Sequence, residues 1–464
     1  MYKKSKDHLL NLLRQAMTKD SFVQNSAYMF FSSGSAILIQ MAFFPILSRI
    51  YSPEAYGLFG VINFYTSAVG SSASLSLNQA LVLPRERSEF LSLLRLNFLV
   101  TFAIVAFVTL LTLACGHTLM VWANTEQMGN WVYLVGPIGL VIAVNRIMVE
   151  WTVREKAFRK VTVWSTANSL FNKLFNVGYG KFIDAGATGL VITNVLLYAG
   201  QVAACGAFVI RDTWAALRAT VPWHEVVSTA RKYKNFPRYM FWANTINLVS
   251  ANIPSVALPA LGFALNYVGY FNFALLLLDL PIRMMGSGIS SVFLPKAVEM
   301  KEERAHELAP ATWKLFRMMM LISVLAAGTI FLFGEPLYSL FFGANWKEAG
   351  QAAEVLAIYY FFRLLSAPLS VIYNVLKKEA EFFRFQVALF VVRIASLYVG
   401  IYFTHDFLEL MGIFSLANAV CHLWLCYRIF KMTGIQPVKG MTWTVLVGVI
   451  VFGGGYFIKL WLFG

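Results

Sequence analysis

The sequence predicts an all-α polytopic membrane protein: two parallel six-helix bundles and one extra C-terminal span. Three observations predict it. The 464-residue chain is 58% hydrophobic and only 13% charged, with a mean hydropathy of +0.64, more apolar residue than a soluble core of this size needs. Its basic residues concentrate in alternate connecting segments, as they do in chains that cross a membrane many times. The two halves of the chain also echo each other.

Apolar runs long enough to span recur in order. The first half holds them near 26–47, 57–80, 93–114, 131–149, 163–180 and 187–210. The second half holds them near 240–260, 267–294, 314–334, 350–374, 383–403 and 408–427, and a thirteenth follows near 442–462. Several carry Gly, Pro, Ser and Asn in their middles, which lipid tolerates only where the helix faces protein or water. This gives a first lobe over 26–210 and a second over 239–430. The 211–238 segment, with Trp214, Pro222, Trp223 and Pro237, reads as a basic linker lying at the membrane interface. Residues 1–25 are polar and basic, with Leu9, Leu10, Leu12, Leu13 and Met17 spaced for an amphipathic surface helix, and they do not read as a cleavable signal peptide. The final segment, 431–464, contains Gly453-Gly454-Gly455, which weakens it as an independent helix.

Charge sets the orientation. With the N-terminus inside, the inner segments hold 25 of the 38 Lys and Arg residues, the outer loops 3 and the spans 10. That asymmetry puts the N-terminus in the cytoplasm and explains the net charge of +15 without nucleic acid. Clusters such as Arg154, Lys156, Arg159 and Lys160, or Arg231, Lys232, Lys234 and Arg238, are anchors to anionic membrane lipids. Cys115, Cys205, Cys421 and Cys426 have no metal spacing and read as packing residues. There is no P-loop, nucleophile elbow, metal cluster or pair of catalytic carboxylates, so neither an enzyme nor a cofactor is expected.

The internal echo joins Ala55-Tyr56-Gly57-Leu58-Phe59 to Tyr267-Val268-Gly269-Tyr270-Phe271. The first is followed by Leu83-Pro84-Arg85, its proline 27 residues after Gly57; the second by Leu294-Pro295-Lys296, its proline 26 residues after Gly269. A fainter echo links Arg154-Glu155-Lys156-Ala157-Phe158 to Lys378-Glu379-Ala380-Glu381-Phe382. The offset is six spans, an even number, so the halves keep one orientation and a site is expected between them.

Four basic residues lie deep in apolar runs: Lys173, Arg283, Arg363 and Arg393. Asp279 is the one acid read at comparable depth. Each charge facing lipid costs roughly 2.5–3.5 kcal/mol, so four would cost on the order of 10–14 kcal/mol. They are therefore expected to face a wet cavity whose surplus positive charge suits an anion. Polar residues at helical spacing extend the same faces. These are Asn63, Ser67, Ser71, Ser74 and Asn78 in the second span; Ser169, Lys173, Asn176 and Gly180 in the fifth; and Asn272, Asp279, Arg283, Ser287 and Ser290 in the eighth. The tenth span adds Arg363, Ser366, Ser370 and Asn374, and the eleventh Gln386, Arg393, Ser396 and Gly400. Uncharged stripes of this kind also serve dry helix packing. Pro281 should kink the eighth span. Asp279 either neutralises Arg283 at i,i+4 or takes up a proton or cation during transport. Basic residues near span ends, Lys459 among them, are expected to snorkel.

The stretch Pro45-Ile46-Leu47-Ser48-Arg49-Ile50-Tyr51-Ser52-Pro53-Glu54-Ala55-Tyr56-Gly57-Leu58-Phe59 resembles the opening motif of bacterial polysaccharide flippases. So do Leu83-Pro84-Arg85 and Lys232-Tyr233-Lys234-Asn235-Phe236-Pro237. These are the Wzx-type O-antigen transporters of the MOP (multidrug, oligosaccharidyl-lipid, polysaccharide) superfamily. The resemblance implies two six-helix lobes around a V-shaped cavity with alternating access. It implies an undecaprenyl-diphosphate-linked oligosaccharide as cargo, turned across the bacterial cytoplasmic (inner) membrane, with other polysaccharide-assembly proteins as possible partners. The four cations come from the charge argument, because the family has no single invariant signature to transfer. A multidrug or organic-ion antiporter of the same superfamily should line its cavity with acids. A polymerase or ligase for lipid-linked glycan should carry a large outer loop. Neither feature is present.

The orientation is testable. Cysteines placed at Asn124 and Asn345 in a cysteine-free background should react with an impermeant reagent in intact cells. Reaction only after lysis would reverse the topology.

Overall fold

In hydrocarbon a spanning segment must satisfy its own backbone, and these apolar runs do so as helices. The computed structural model describes residues 22–155, 158–208 and 222–463. Its first six long helices are α1 (Phe22–Ile50), α2 (Pro53–Ser72), α3 (Arg87–Trp122), α4 (Trp131–Arg154), α5 (Phe158–Phe182) and α6 (Ala187–Phe208). A short amphipathic helix, α7 (Trp223–Lys232), comes next. The second set is α8 (Phe241–Ala260), α9 (Leu265–Leu278), α10 (Leu280–Glu303), α11 (Ala305–Phe342), α12 (Lys347–Leu369), α13 (Val371–Val375), α14 (Glu379–Phe403) and α15 (Phe407–Thr433). The last span is α16 (Pro437–Val449) and α17 (Gly455–Phe463), joined by a π-helical turn. Among the described residues, eight helices are long and apolar enough to cross a bilayer. The amphipathic helix expected near the N-terminus and the first part of the linker, 211–221, lie outside the described residues.

Local chemistry sets the helix ends. Ser52 caps α2 by accepting from the Ala55 amide at 3.2 Å, with Pro53 at the first helical position. Asp406 accepts from the amides of Leu408 and Glu409 to start α15, and Gly434 closes that helix at φ +80°. Two expected spans are interrupted. The run expected over 57–80 leaves the α-helix after Ser72, in a stretch whose Ser71, Ser72 and Ser74 are weak helix formers. Leu75 and Ser76 then turn left-handed, at φ +48° and +61°, before a 3-10 segment over Leu77–Val82. The eighth span breaks between α9 and α10 at Asp279, just before Pro281, whose ring supplies no amide donor.

The packing repeats itself. α1 packs on α5, α2 and α3 on α4, α4 on α6, and α5 on α6. Six spans later α8 packs on α14, α9 and α11 on α12, α12 on α15, and α14 on α15. These are the two parallel six-helix bundles.

The echoed motifs meet where the bundles touch. A Cβ on Gly57 would lie 1.8 Å from the Leu265 carbonyl oxygen, and one on Gly269 2.0 Å from that of Pro53. Each oxygen belongs to the residue four before the other glycine, so the contact is close to its own two-fold image. Only glycine permits such an approach of two helix backbones. Beside it Trp346 stacks on Phe273 at 3.8 Å between ring centroids and donates from Nε1 to the Ser48 carbonyl at 2.8 Å. Ser48 Oγ donates to the Phe342 carbonyl at 2.9 Å, and Asn124 Nδ2 to that of Pro259 at 2.7 Å. All of these lie at the end of the bundles whose loops are poor in Lys and Arg. Towards the basic end, the bundles meet along α2 and α8, where Ser72 Oγ faces Thr245 Oγ1 at 3.4 Å and Asn244 Nδ2 donates to Ser76 Oγ at 3.1 Å.

The last span docks on the second bundle through an ion pair between Lys459 and Glu354 of α12. Glu354 is 6% exposed and also accepts from the Glu335 amide at 2.8 Å. Lys459 is therefore paired rather than snorkelling, and Glu354 is a buried acid that the sequence reading did not pick out beside Asp279.

The crossing yields a prediction. Gly57→Leu and Gly269→Leu should each force α2 and α9 apart and open this end. Labelling of Ser48→Cys, introduced into a cysteine-free chain, should rise by about tenfold, the equivalent of ~1.4 kcal/mol. Unchanged labelling would mean that the crossing does not hold the face closed.

Candidate functional site

Below the glycine crossing, the bundles enclose two adjoining compartments of about 330 and 360 Å³. Gln40, Phe44, Asn252, Asn272, Leu276 and Arg283 line both. They form one cavity with a waist, and Arg283 stands at it.

The first compartment lies against the second bundle. The break between α9 and α10 presents Asp279 to α12, where its Oδ1 accepts from Arg363 Nη1 at 2.8 Å and from the Tyr360 hydroxyl at 2.9 Å. Arg363 Nη1 also donates to the Tyr360 hydroxyl at 2.6 Å, and its guanidinium lies 4.9 Å from that ring's centroid. Arg283, the i,i+4 neighbour on the same stretch of chain, is left 3.9 Å from Asp279 Oδ2, with its side chain 60% exposed. The principal partner of Asp279 is thus Arg363 on another helix, and Arg283 keeps its donors free.

Arg393 lines the same compartment but is 7% exposed. Its donors are taken by neutral groups: Asn418 Oδ1 at 2.8 Å, Ser250 Oγ at 2.9 Å and the Tyr359 hydroxyl at 2.7 Å. Its charge is felt in the cavity although three of its five N–H donors are bonded to the protein.

The second compartment lies against the first bundle. Lys173 lines it, with Nζ 5.8 Å from the Phe44 ring centroid and, among the described residues, no hydrogen-bond or ion-pair partner. Asn63, Asn176 and Asn272 line it as well. Asn63 Oδ1 accepts from Asn194 Nδ2 at 3.0 Å, and Asn272 Oδ1 accepts from Ser255 Oγ at 3.0 Å. Asn176 Oδ1 and Asn272 Nδ2 are buried without partners.

The remaining residues singled out from the sequence do not line these compartments. Ser74 and Asn78, 3% and 5% exposed, bond each other at 2.8 Å in the irregular stretch after α2. Ser366 is buried against His422 Nδ1 at 2.7 Å, within the second bundle. Ser370 turns back to the Ala367 carbonyl at 2.6 Å, and Asn374 is exposed on α13. The side chains of Ser287 and Ser290 lie outside the described residues. Sequence reasoning missed Tyr359 and Tyr360, which precede Arg363 by four and three residues and so share its face. It also missed the carboxamides of Gln40, Asn172, Asn194 and Asn252.

The fold has known relatives. A structure of the lipid II flippase MurJ in an inward closed conformation matches with a TM-score of 0.62 at 14% identity, over 94% of this chain and 98% of that one. An inward-facing multidrug resistance MATE family transporter of the MOP superfamily matches with a TM-score of 0.59 at 13% identity, over 91% of this chain and 98% of that one. A MATE protein in complex with MaL6 gives 0.54 at 16% identity, over 89% and 96%. At such identities the likeness is one of fold. No curated protein matches the sequence. The profile of a family described as polysaccharide biosynthesis protein matches residues 46–351. The chain therefore belongs to the polysaccharide biosynthesis protein family, built on the fold of the MOP-superfamily transporters.

Proposed function

We propose that this protein is a flippase that turns a lipid-linked oligosaccharide, joined through a diphosphate to undecaprenol, across the bacterial cytoplasmic membrane. The cargo is the repeat unit of O-antigen or another surface polysaccharide. The observation that carries this reading is a mid-membrane cavity with four cations and one carboxylate, in which Lys173 and Arg283 have donors to spare. A diphosphate is the part of such a cargo least able to cross hydrocarbon unaided, and guanidinium and ammonium groups are its natural partners. Membership of the polysaccharide biosynthesis family supports the glycan. The fold shared with MurJ and MATE structures supports transport by alternating access. With the basic loops in the cytoplasm, the glycine crossing closes the outer side. A multidrug antiporter for cations fits less well, because Asp279, among the described residues the one carboxylate lining the cavity, is already held by Arg363.

Geometry separates ligand-facing cations from structural ones. Arg283→Ala should abolish most surface glycan in a flippase-deficient strain while leaving the protein at normal abundance, because no buried partner is stranded. Arg283→Lys should restore part of it. Arg393→Ala strands Ser250, Tyr359 and Asn418, each lost buried partner costing about 1–3 kcal/mol, and should deplete the protein itself. Glycan display and membrane protein are measured in parallel. Full glycan display by an abundant Arg283→Ala protein would overturn the reading.

A further inference from the structure

The distribution of charge between the two compartments supports a statement about the glycan, resting on the flippase reading above. The first compartment holds three guanidinium groups, Arg283, Arg363 and Arg393, and one carboxylate, Asp279. Guanidinium stays protonated in proteins, so three positive charges against one negative leave a surplus of two. A diphosphate that joins a lipid to a sugar carries two negative charges, one on each phosphate. This compartment alone therefore matches the diphosphate.

Lys173 is left over. Among the described residues no carboxylate lines its compartment, and its neighbours there are carboxamides such as Asn63, Asn172, Asn176 and Asn194. Carboxamides donate to and accept from sugar hydroxyls and neutralise nothing. Among the described residues the ammonium has no hydrogen-bond or ion-pair partner and lies 5.8 Å from the Phe44 ring centroid. An unpaired charge at this depth is costly to keep. A neutral glycan in the compartment would leave it unpaired, whereas an anionic sugar would not.

We propose that the cargo is an acidic glycan. A sugar near the diphosphate bears a carboxylate, and Lys173 is the side chain that selects for it. The rival arrangement has Lys173 share the diphosphate with Arg283, since both line the second compartment.

The test uses the purified full chain in liposomes. Two lipid-diphosphate-linked glycans are supplied, identical except that one has a hexuronate where the other has the neutral hexose. Translocation is read by exposure to an impermeant glycosidase. The wild type should move the acidic cargo about tenfold faster than the neutral one, the discrimination expected of one charge-assisted hydrogen bond. In Lys173→Gln the ratio should fall to about one, and Lys173→Arg should keep it. Arg283→Gln should lower both rates and leave the ratio intact. Because each ratio is taken within one variant, partial loss of folded protein does not affect it. Equal rates in the wild type would overturn the proposal. A ratio unchanged in Lys173→Gln, with both rates lowered, would overturn it in favour of the shared diphosphate. A wild-type protein that moves neither cargo would overturn the flippase reading itself, and this inference with it.

Discussion

The architecture turns on two helix backbones touching with nothing between them. At Gly57 and Gly269 the first turns of α2 and α9 come so close that a single added carbon would meet a carbonyl oxygen. The cavity begins directly below this crossing. Asn63, two turns along α2 from the crossing, and Asn272, one turn along α9, already face it. The aromatic cluster of Tyr56, Phe273 and Trp346 seals the same end with rings that stack or meet edge to face. The crossing thus does two things: it closes one face and fixes where the site begins.

The charges then arrange themselves around Asp279. It keeps its i,i+4 ion pair with Arg283 at 3.9 Å, but its hydrogen bonds go to Arg363 and Tyr360 on another helix. Arg363 is thereby held by its own protein, while Arg283, with its side chain 60% exposed, faces both compartments. Removing one member of such a pair leaves the other charged and desolvated, which costs more than the pair contributes. In the proposed flippase, Arg363 and Arg393 would serve as fixed sources of field, and Lys173 and Arg283 as the groups that reach the cargo.

Much of this was legible in the sequence, within definite limits. The spans followed from apolar run length, and the repeat from two glycine motifs followed at 27 and 26 residues by Leu-Pro-base. Helical spacing brought Asn63, Lys173, Asn176, Asn272, Asp279, Arg283 and Arg363 to cavity-facing positions, because position on a helix face is a local property. What failed was whatever depended on a second helix or on a local break. Ser74 and Asn78 continued the α2 stripe on paper, but the helix ends before them. The Lys459–Glu354 pair joins residues 105 apart in sequence, and no periodicity reveals it. The choice of Arg363 over Arg283 by Asp279 is likewise tertiary, since i,i+4 reasoning sees only one helix.

The bundles repeat their packing but not their chemistry, and that asymmetry bears on mechanism. Helix pairs in the first bundle have counterparts in the second, so the scaffold can rock as two similar bodies about the glycine crossing. The linings differ: carboxamides and one free ammonium on the first bundle, guanidinium groups with tyrosines and a carboxylate on the second. A symmetric lining would hold a cargo equally on both sides and give it no preferred direction in the cavity. For the lipid-linked glycan proposed above, an asymmetric lining would orient it, with the phosphates toward the second bundle and the sugars toward the first. Orientation matters for a molecule that is lipid at one end and glycan at the other, because only one arrangement leaves the lipid tail able to stay in the bilayer while the head crosses. In that proposal the cargo would bridge the two bundles, and its binding energy would act on the gap between them, the coordinate that alternating access has to change.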